Sequence, residues 1–138
     1  MANVHKPSEN IKSDPAFVSI VLTGGGTAVN PATYYPMTNY DLCWFLIHVH
    51  LNAGVAGSLS CQMWQRVGGA GGATAVLGNA QVVTAVGVNA ALFARGEDFT
   101  ATYTNVGVIC TETLTNAVTV SGIILRLRAR YKQAILLA

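Results

Sequence analysis

The last long apolar segment, residues 118–131, sets the pattern for reading the rest of the chain. From Leu125 it alternates strictly, with Leu125, Leu127, Ala129 and Tyr131 on one parity and Arg126, Arg128 and Arg130 on the other. Successive side chains of a strand point to opposite faces. The pattern therefore predicts a strand with one face on an apolar core and a row of guanidinium groups turned to water or to a partner. Residues 16–22 are short, β-branched and apolar and run into Thr23 and three glycines, a strand and then a turn. Residues 41–52 form the most apolar run and are expected to be a central strand, facing apolar material on both sides at its start. Residues 58–67 alternate, with Leu59, Cys61, Met63, Gln65 and Val67 against Ser60, Gln62, Trp64 and Arg66. A hairpin with the preceding strand is expected there, closed by residues 53–57.

Further strands are expected over 81–86, 99–103 and 106–113, with turns at 68–72, 96–98 and 114–117. Between the first two strands, residues 27–40 carry Pro31, Pro36, Tyr34, Tyr35 and Tyr40, an extended loop docked by its aromatics. Seven or eight short strands separated by Gly, Asn and Thr turns predict an all-β fold, an antiparallel β-sandwich of jelly-roll-like type. No segment carries a helical period. Residues 1–15 are polar, with Pro7 and Pro15 as breakers, and read as an extended N-terminal arm. The sandwich domain is expected over 16–133, followed by an apolar tail at 134–138.

Composition sharpens this picture. Only 10% of the 138 residues are charged, against about 25% in ordinary soluble domains. Hydrophobic residues make up 51%, many of them the small Ala and Val. Such a surface suits a chain that is covered by neighbours. No apolar run approaches the ~20 residues of a membrane-spanning helix, and the first residues show no signal-peptide pattern. Cys43, Cys61 and Cys110 are odd in number and widely spaced, so each is expected to be a small buried hydrophobe, not part of a disulfide framework or zinc site.

The chemistry-bearing groups are few. His48 and His50 fall on one strand face about 7 Å apart, a spacing that needs a third ligand from elsewhere to hold a metal. No metal and no cofactor are expected. The glycine clusters at 24–26 and 68–72 are not followed by lysine, as a phosphate-binding loop requires. Outside the arm, the acids are Asp41, Glu97, Asp98 and Glu112, and the adjacent Glu97 and Asp98 are not an opposed catalytic pair. No catalysis is expected. Half of the eight basic residues are Arg126, Arg128, Arg130 and Lys132. That row fits an acidic protein partner or water better than nucleic acid, because no basic-aromatic interleaving accompanies it. Tyr34, Tyr35 and Trp64 are candidate contact residues, either at an interface or as a carbohydrate platform.

The second half has a recognisable layout. A strand bearing Trp64-Gln-Arg-Val67 precedes a Gly/Ala loop, then Gln81-Val-Val-Thr84. Phe99-Thr-Ala-Thr-Tyr103 runs into Asn105-Val-Gly-Val-Ile-Cys-Thr111, and Val120-Ser-Gly-Ile-Ile-Leu125 with Ala129-Arg-Tyr131 closes the domain. Over about Leu42 to Lys132 this resembles the small β-sandwich virion proteins of tailed bacteriophages, especially capsid decoration (cement) proteins. Cys61-Gln-Met63 stands where those proteins often carry an Asp-Gly-Ser turn. The resemblance implies a homo-oligomer, often a trimer, on the virion surface, bound between major capsid protein subunits and reinforcing the shell. A tail or head-tail structural protein and a carbohydrate-binding module are the alternatives.

Overall fold

The computed structural model describes residues 11–22, 28–29, 33–51, 58–68, 70–83, 89–113 and 118–127, with backbone alone at 17–20, 28–29, 50–51, 89 and 118. Among the described residues nine strands form two antiparallel sheets: β1 (Ile11–Leu22), β2 (Ala28–Val29), β3 (Tyr35–Pro36), β4 (Leu42–Leu51), β5 (Leu59–Val67), β6 (Thr74–Val83), β7 (Asn89–Arg95), β8 (Tyr103–Glu112) and β9 (Val118–Leu127). The first sheet has the order β1-β9-β4-β7. The second has the order β2-β8-β5-β6, with β3 also paired to β8. If β2 and β3 count as one interrupted edge, this is an eight-stranded jelly roll, two four-stranded sheets whose successive strands cross from one to the other except at the β5–β6 hairpin. The all-β sandwich expectation is met.

The core lies between the sheets and is built by alternation. From the first sheet, Cys43, Phe45, Ile47 and Val49 point inward on β4, Ala90, Leu92 and Ala94 on β7, and Val120 and Ile124 on β9. They meet Leu59, Cys61 and Met63 of β5, Val106, Val108 and Cys110 of β8, and Leu77 and Val83 of β6. All three cysteines are buried free thiols. Cys61 and Cys110 face one another across β5 and β8 with their sulfurs 3.3 Å apart. Burial pushes the Cys43 thiol up to about 12. The hydrogen bond with Cys61, then burial, raise that of Cys110.

Some polar groups at the sandwich ends are satisfied locally, although Arg66 Nε and Arg126 Nε are buried without a hydrogen-bond partner among the described residues. Gln65 is buried, and its amide donates to Thr100 Oγ1 and accepts from Thr100 N, each at 3.0 Å. It thereby ties the turn before β8 to the core. In that turn Tyr103 N donates to Thr100 O, and Thr102 sits at φ +83°, where a β-branched residue is strained. On the edge strand β6, register slips between the pairs Cys61–Gln81 and Met63–Leu77. Gly78 at φ +67° makes the bulge, and Gln62 Nε2 donates to the exposed carbonyls of Leu77 and Gly78.

Several local expectations need correction. β1 begins at Ile11, not at residue 16, because residues 11–15 pair with 123–127. Pro15 is tolerated there since β1 is an edge strand with a register shift beside it. β4 and β5 do not form a hairpin: β4 lies between β9 and β7, and β5 between β8 and β6. Each is a central strand of its own sheet, so the chain crosses the sandwich between them. Residues 99–102 are a turn, and β6 starts at Thr74.

Candidate interaction surface

The inward parity of β9 is the opposite of the one its Leu/Arg alternation suggested. Val120, Gly122, Ile124 and Arg126 face the core, while Ile123, Leu125 and Leu127 face outward. Arg126 is 2% exposed and does not present itself to water or a partner. At the sandwich end its two terminal nitrogens find acceptors, while its buried Nε has no hydrogen-bond partner among the described residues. Nη1 donates to Pro36 O at 2.8 Å and Nη2 pairs with Asp14 Oδ2 at 2.5 Å. The Tyr40 and Tyr35 rings lie 4.7 and 5.3 Å from its central carbon. The Tyr35 hydroxyl in turn donates to Pro15 O. Burial, and then the Asp14 carboxylate, raise the Tyr35 hydroxyl pKa against the opposing effect of Arg126. Arg128, Arg130 and Lys132 lie outside the described residues.

The aromatic candidates do not share one platform. Tyr34 is half-buried with the Arg66 guanidinium 4.2 Å from its ring centre, on the outer side of the second sheet. Tyr35 turns toward the core and Arg126. Trp64 is half-buried on the outer face of β5, between Gly107 of β8 and Val76 of β6 in register. That face is mixed: Ser60 lies between Thr111 and Val82, and Arg66 between Asn105 and Thr74.

The outer face of the first sheet differs. Because β1, β9, β4 and β7 are in register, its outward side chains fall into three rows across four strands. One row is Ile11, Leu127, Leu42 and Arg95. The next is Ser13, Leu125, Trp44 and Phe93, and the third Pro15, Ile123, Leu46 and Ala91. Ten of these twelve positions are apolar. Trp44 and Phe93 are each 42% exposed, Ile123 43% and Leu46 38%, whereas Phe45 and Ile47 on the other side of β4 are at 0%. The Trp44 and Phe93 rings meet at 5.8 Å across the strand pair, tilted by 55°. The charge at the corner, Arg95, pairs at 3.4 Å with Glu97, and its guanidinium carbon lies 5.9 Å from the centre of the Phe93 ring. His48 falls next in line, opposite Ser121, and the side chain of His50 is outside the described set.

This grid was not among the candidate contact residues, although its signal is in the sequence. A strand open to water on one side alternates apolar with polar, and a strand buried on both sides reads as a continuous apolar run. Residues 42–47 are Leu-Cys-Trp-Phe-Leu-Ile without interruption. The expectation of apolar material on both sides of that run holds for one side within the chain. On the other side the described residues supply no cover.

No known protein family matches the chain, and no curated protein does. Among solved structures, a chain of infectious bursal disease virus, Gx strain, aligns with 87% of this chain at a TM-score of 0.53 and 8% identity. The alignment covers 33% of that chain, so the present one spans about a third of its length. A chain of Bacillus endospore appendages, described as a novel family of disulfide-linked pili, aligns with 86% of this chain and 88% of its own at 19% identity and a TM-score of 0.38. The first likeness is one of fold alone.

Proposed function

We propose that the chain is a virion structural protein of the decoration type, held on the outer capsid between major capsid protein subunits and stabilising the shell without catalysis. The observation that carries this reading is the apolar outer face of the first sheet. A free monomer leaves such a patch wet, while a protein that works by assembly buries it. The low charge of the chain, the fold shared with a virus chain and the resemblance to decoration proteins support the same reading. Burial contributes about 25 cal/mol per Å² of apolar surface, from which the cost of association is subtracted. Carried through many copies, modest gains per copy stiffen a shell.

The test is labelling of particles from the source of this sequence with an antibody to the chain, viewed by electron microscopy. Label over the outer shell, together with a lower thermal rupture temperature for particles stripped of the protein, is the expected result. Label confined to a tail or neck would move the assignment to a tail or head-tail protein. Unlabelled particles, with glycan binding that disappears on Trp64→Ala, would replace it with a carbohydrate-binding module.

A further inference from the structure

We infer that the first sheet's outer face is a self-complementary contact on which a second copy of this chain packs, sheet against sheet, about a two-fold axis. This rests on the reading of that face as an assembly surface and names its occupant. Three features lead to a copy of the chain in place of an unrelated protein.

The first is shape. A twisted antiparallel sheet finds its best complement in another sheet about 10 Å away with strands within about 30°. The inner face of this sheet is already packed that way, and a second copy offers the same twist and the same apolar rows to the outer face. The second is size. Four strands about 4.8 Å apart, with rows that span five residues at about 3.3 Å each, give an apolar face of roughly 320 Å² in plan. A stable interface takes about 800 Å² of accessible surface per partner, so the three rows supply the apolar centre of a contact, enough for weak pairing.

The third is charge. A distinct partner is selected by charges and hydrogen-bonding groups set against its own. The three rows provide one hydroxyl, on Ser13, and one cation at the corner, Arg95, already paired with Glu97. A surface so bare repels no copy of itself and carries no charge pattern that would select a different partner. Trp44 and Phe93, in the middle row, supply the large aromatic anchors that homodimer contacts favour. A trimer, which the decoration resemblance implies, joins two different patches head to tail. One patch that is its own complement closes as a pair.

The measurement is the solution mass of the full chain by light scattering over about 1 to 100 μM, a range spanning typical weak to moderate self-association. Leu46→Glu and Phe93→Glu are compared with Val82→Glu, which puts the same charge on the outer face of the other sheet. Circular dichroism and thermal melting identify variants that keep the fold. The expected result is a species of twice the 14.5 kDa chain mass, with dissociation constants raised about 100-fold or more by the first two changes and unmoved by Val82→Glu. A dimer or larger species indifferent to both Leu46→Glu and Phe93→Glu would overturn the inference.

A wild-type monomer would overturn it too, and binding of anilinonaphthalene sulfonate then separates two cases. If the dye binds the wild type and is lost in Leu46→Glu, the pair is refuted while the assembly surface stands open for another shell subunit. If the dye signal is the same in both, the face is not available to any partner, and both readings fall.

Discussion

Arg126 shows how a single side chain can reverse the reading of a whole strand. A buried guanidinium is costly unless it is paired, and here a carboxylate and a carbonyl take Nη2 and Nη1 beside two tyrosine rings, while Nε is left without a partner among the described residues. Arg126→Ala should therefore lower stability by about 3 kcal/mol, seen as an earlier midpoint in urea, since it leaves Pro36 O and Asp14 without their donor and opens space between two rings. Arg126→Met fills that space and should cost less. Equal midpoints for the wild type and the alanine variant would refute this account of Arg126. The thiols lead to a second expectation. Cys43 titrates near 9 when unfolded and near 12 in the fold. Its contribution to stability is complete below pH 9 and is lost as pH climbs toward 12. The raised Tyr35 hydroxyl acts in the same direction above about pH 10. Denaturation midpoints should fall steadily through that alkaline window. At pH 8 iodoacetamide should label none of the three cysteines in native protein and all three in urea, by mass spectrometry; rapid native labelling would contradict the buried placement.

Among the elements, the turns store what the strands do not. Thr102 occupies the third position of a turn at φ +83°, a place suited to glycine. Thr102→Gly should raise the melting temperature, relieving about 1 kcal/mol of backbone strain. At Gly78, φ +67° and open surroundings mean that Gly78→Val meets no clash but takes on that strain, and a loss of about 1 to 2 kcal/mol is expected. Gly72 is different, since a Cβ there would lie 2.2 Å from Val67 O. Gly72→Ala should open the β5–β6 hairpin, and the loss of amide protection at Val67 in hydrogen exchange would report it. Much of this level was legible beforehand. The alternation of residues 59–67 separated the two faces of β5 as the structure has them from Leu59 to Arg66, the Leu59, Cys61, Met63 and Gln65 set being the buried one. The same rule failed on β9 because residues 123–127 are apolar on both faces but for Arg126, and that charge is the inward one. Strand pairing was also illegible: a short Gly-rich link suggests a hairpin, while the wish of both β4 and β5 to be central strands sends them to different sheets.

Taken whole, the molecule is a sandwich with one mixed and one apolar outer side, and scarce charge was the sequence-level sign of it. The sign could not say where the uncovered surface lies, since only strand register brings Trp44, Phe93, Leu46 and Ile123 together from three separate strands. Association through such a face should be nearly indifferent to sodium chloride from about 0.05 to about 0.5 M and strengthened by sulfate, because screening acts on charges and exclusion acts on apolar area. A sharp loss of association across that chloride range would point instead to a charged contact. The pairing of β1 with β9 bears on mechanical load. Ile11 and Leu127 stand opposite each other at one end of that antiparallel pair, and the Asp14–Arg126 bridge crosses it close by. Tension applied across those two residues would peel the strands apart rung by rung, the geometry in which hydrogen bonds fail singly and at low force. The bridge sits where peeling starts and is anchored to Pro36 on a third strand, so it acts as a latch: the sheet yields only after the latch has been pulled from between its tyrosines.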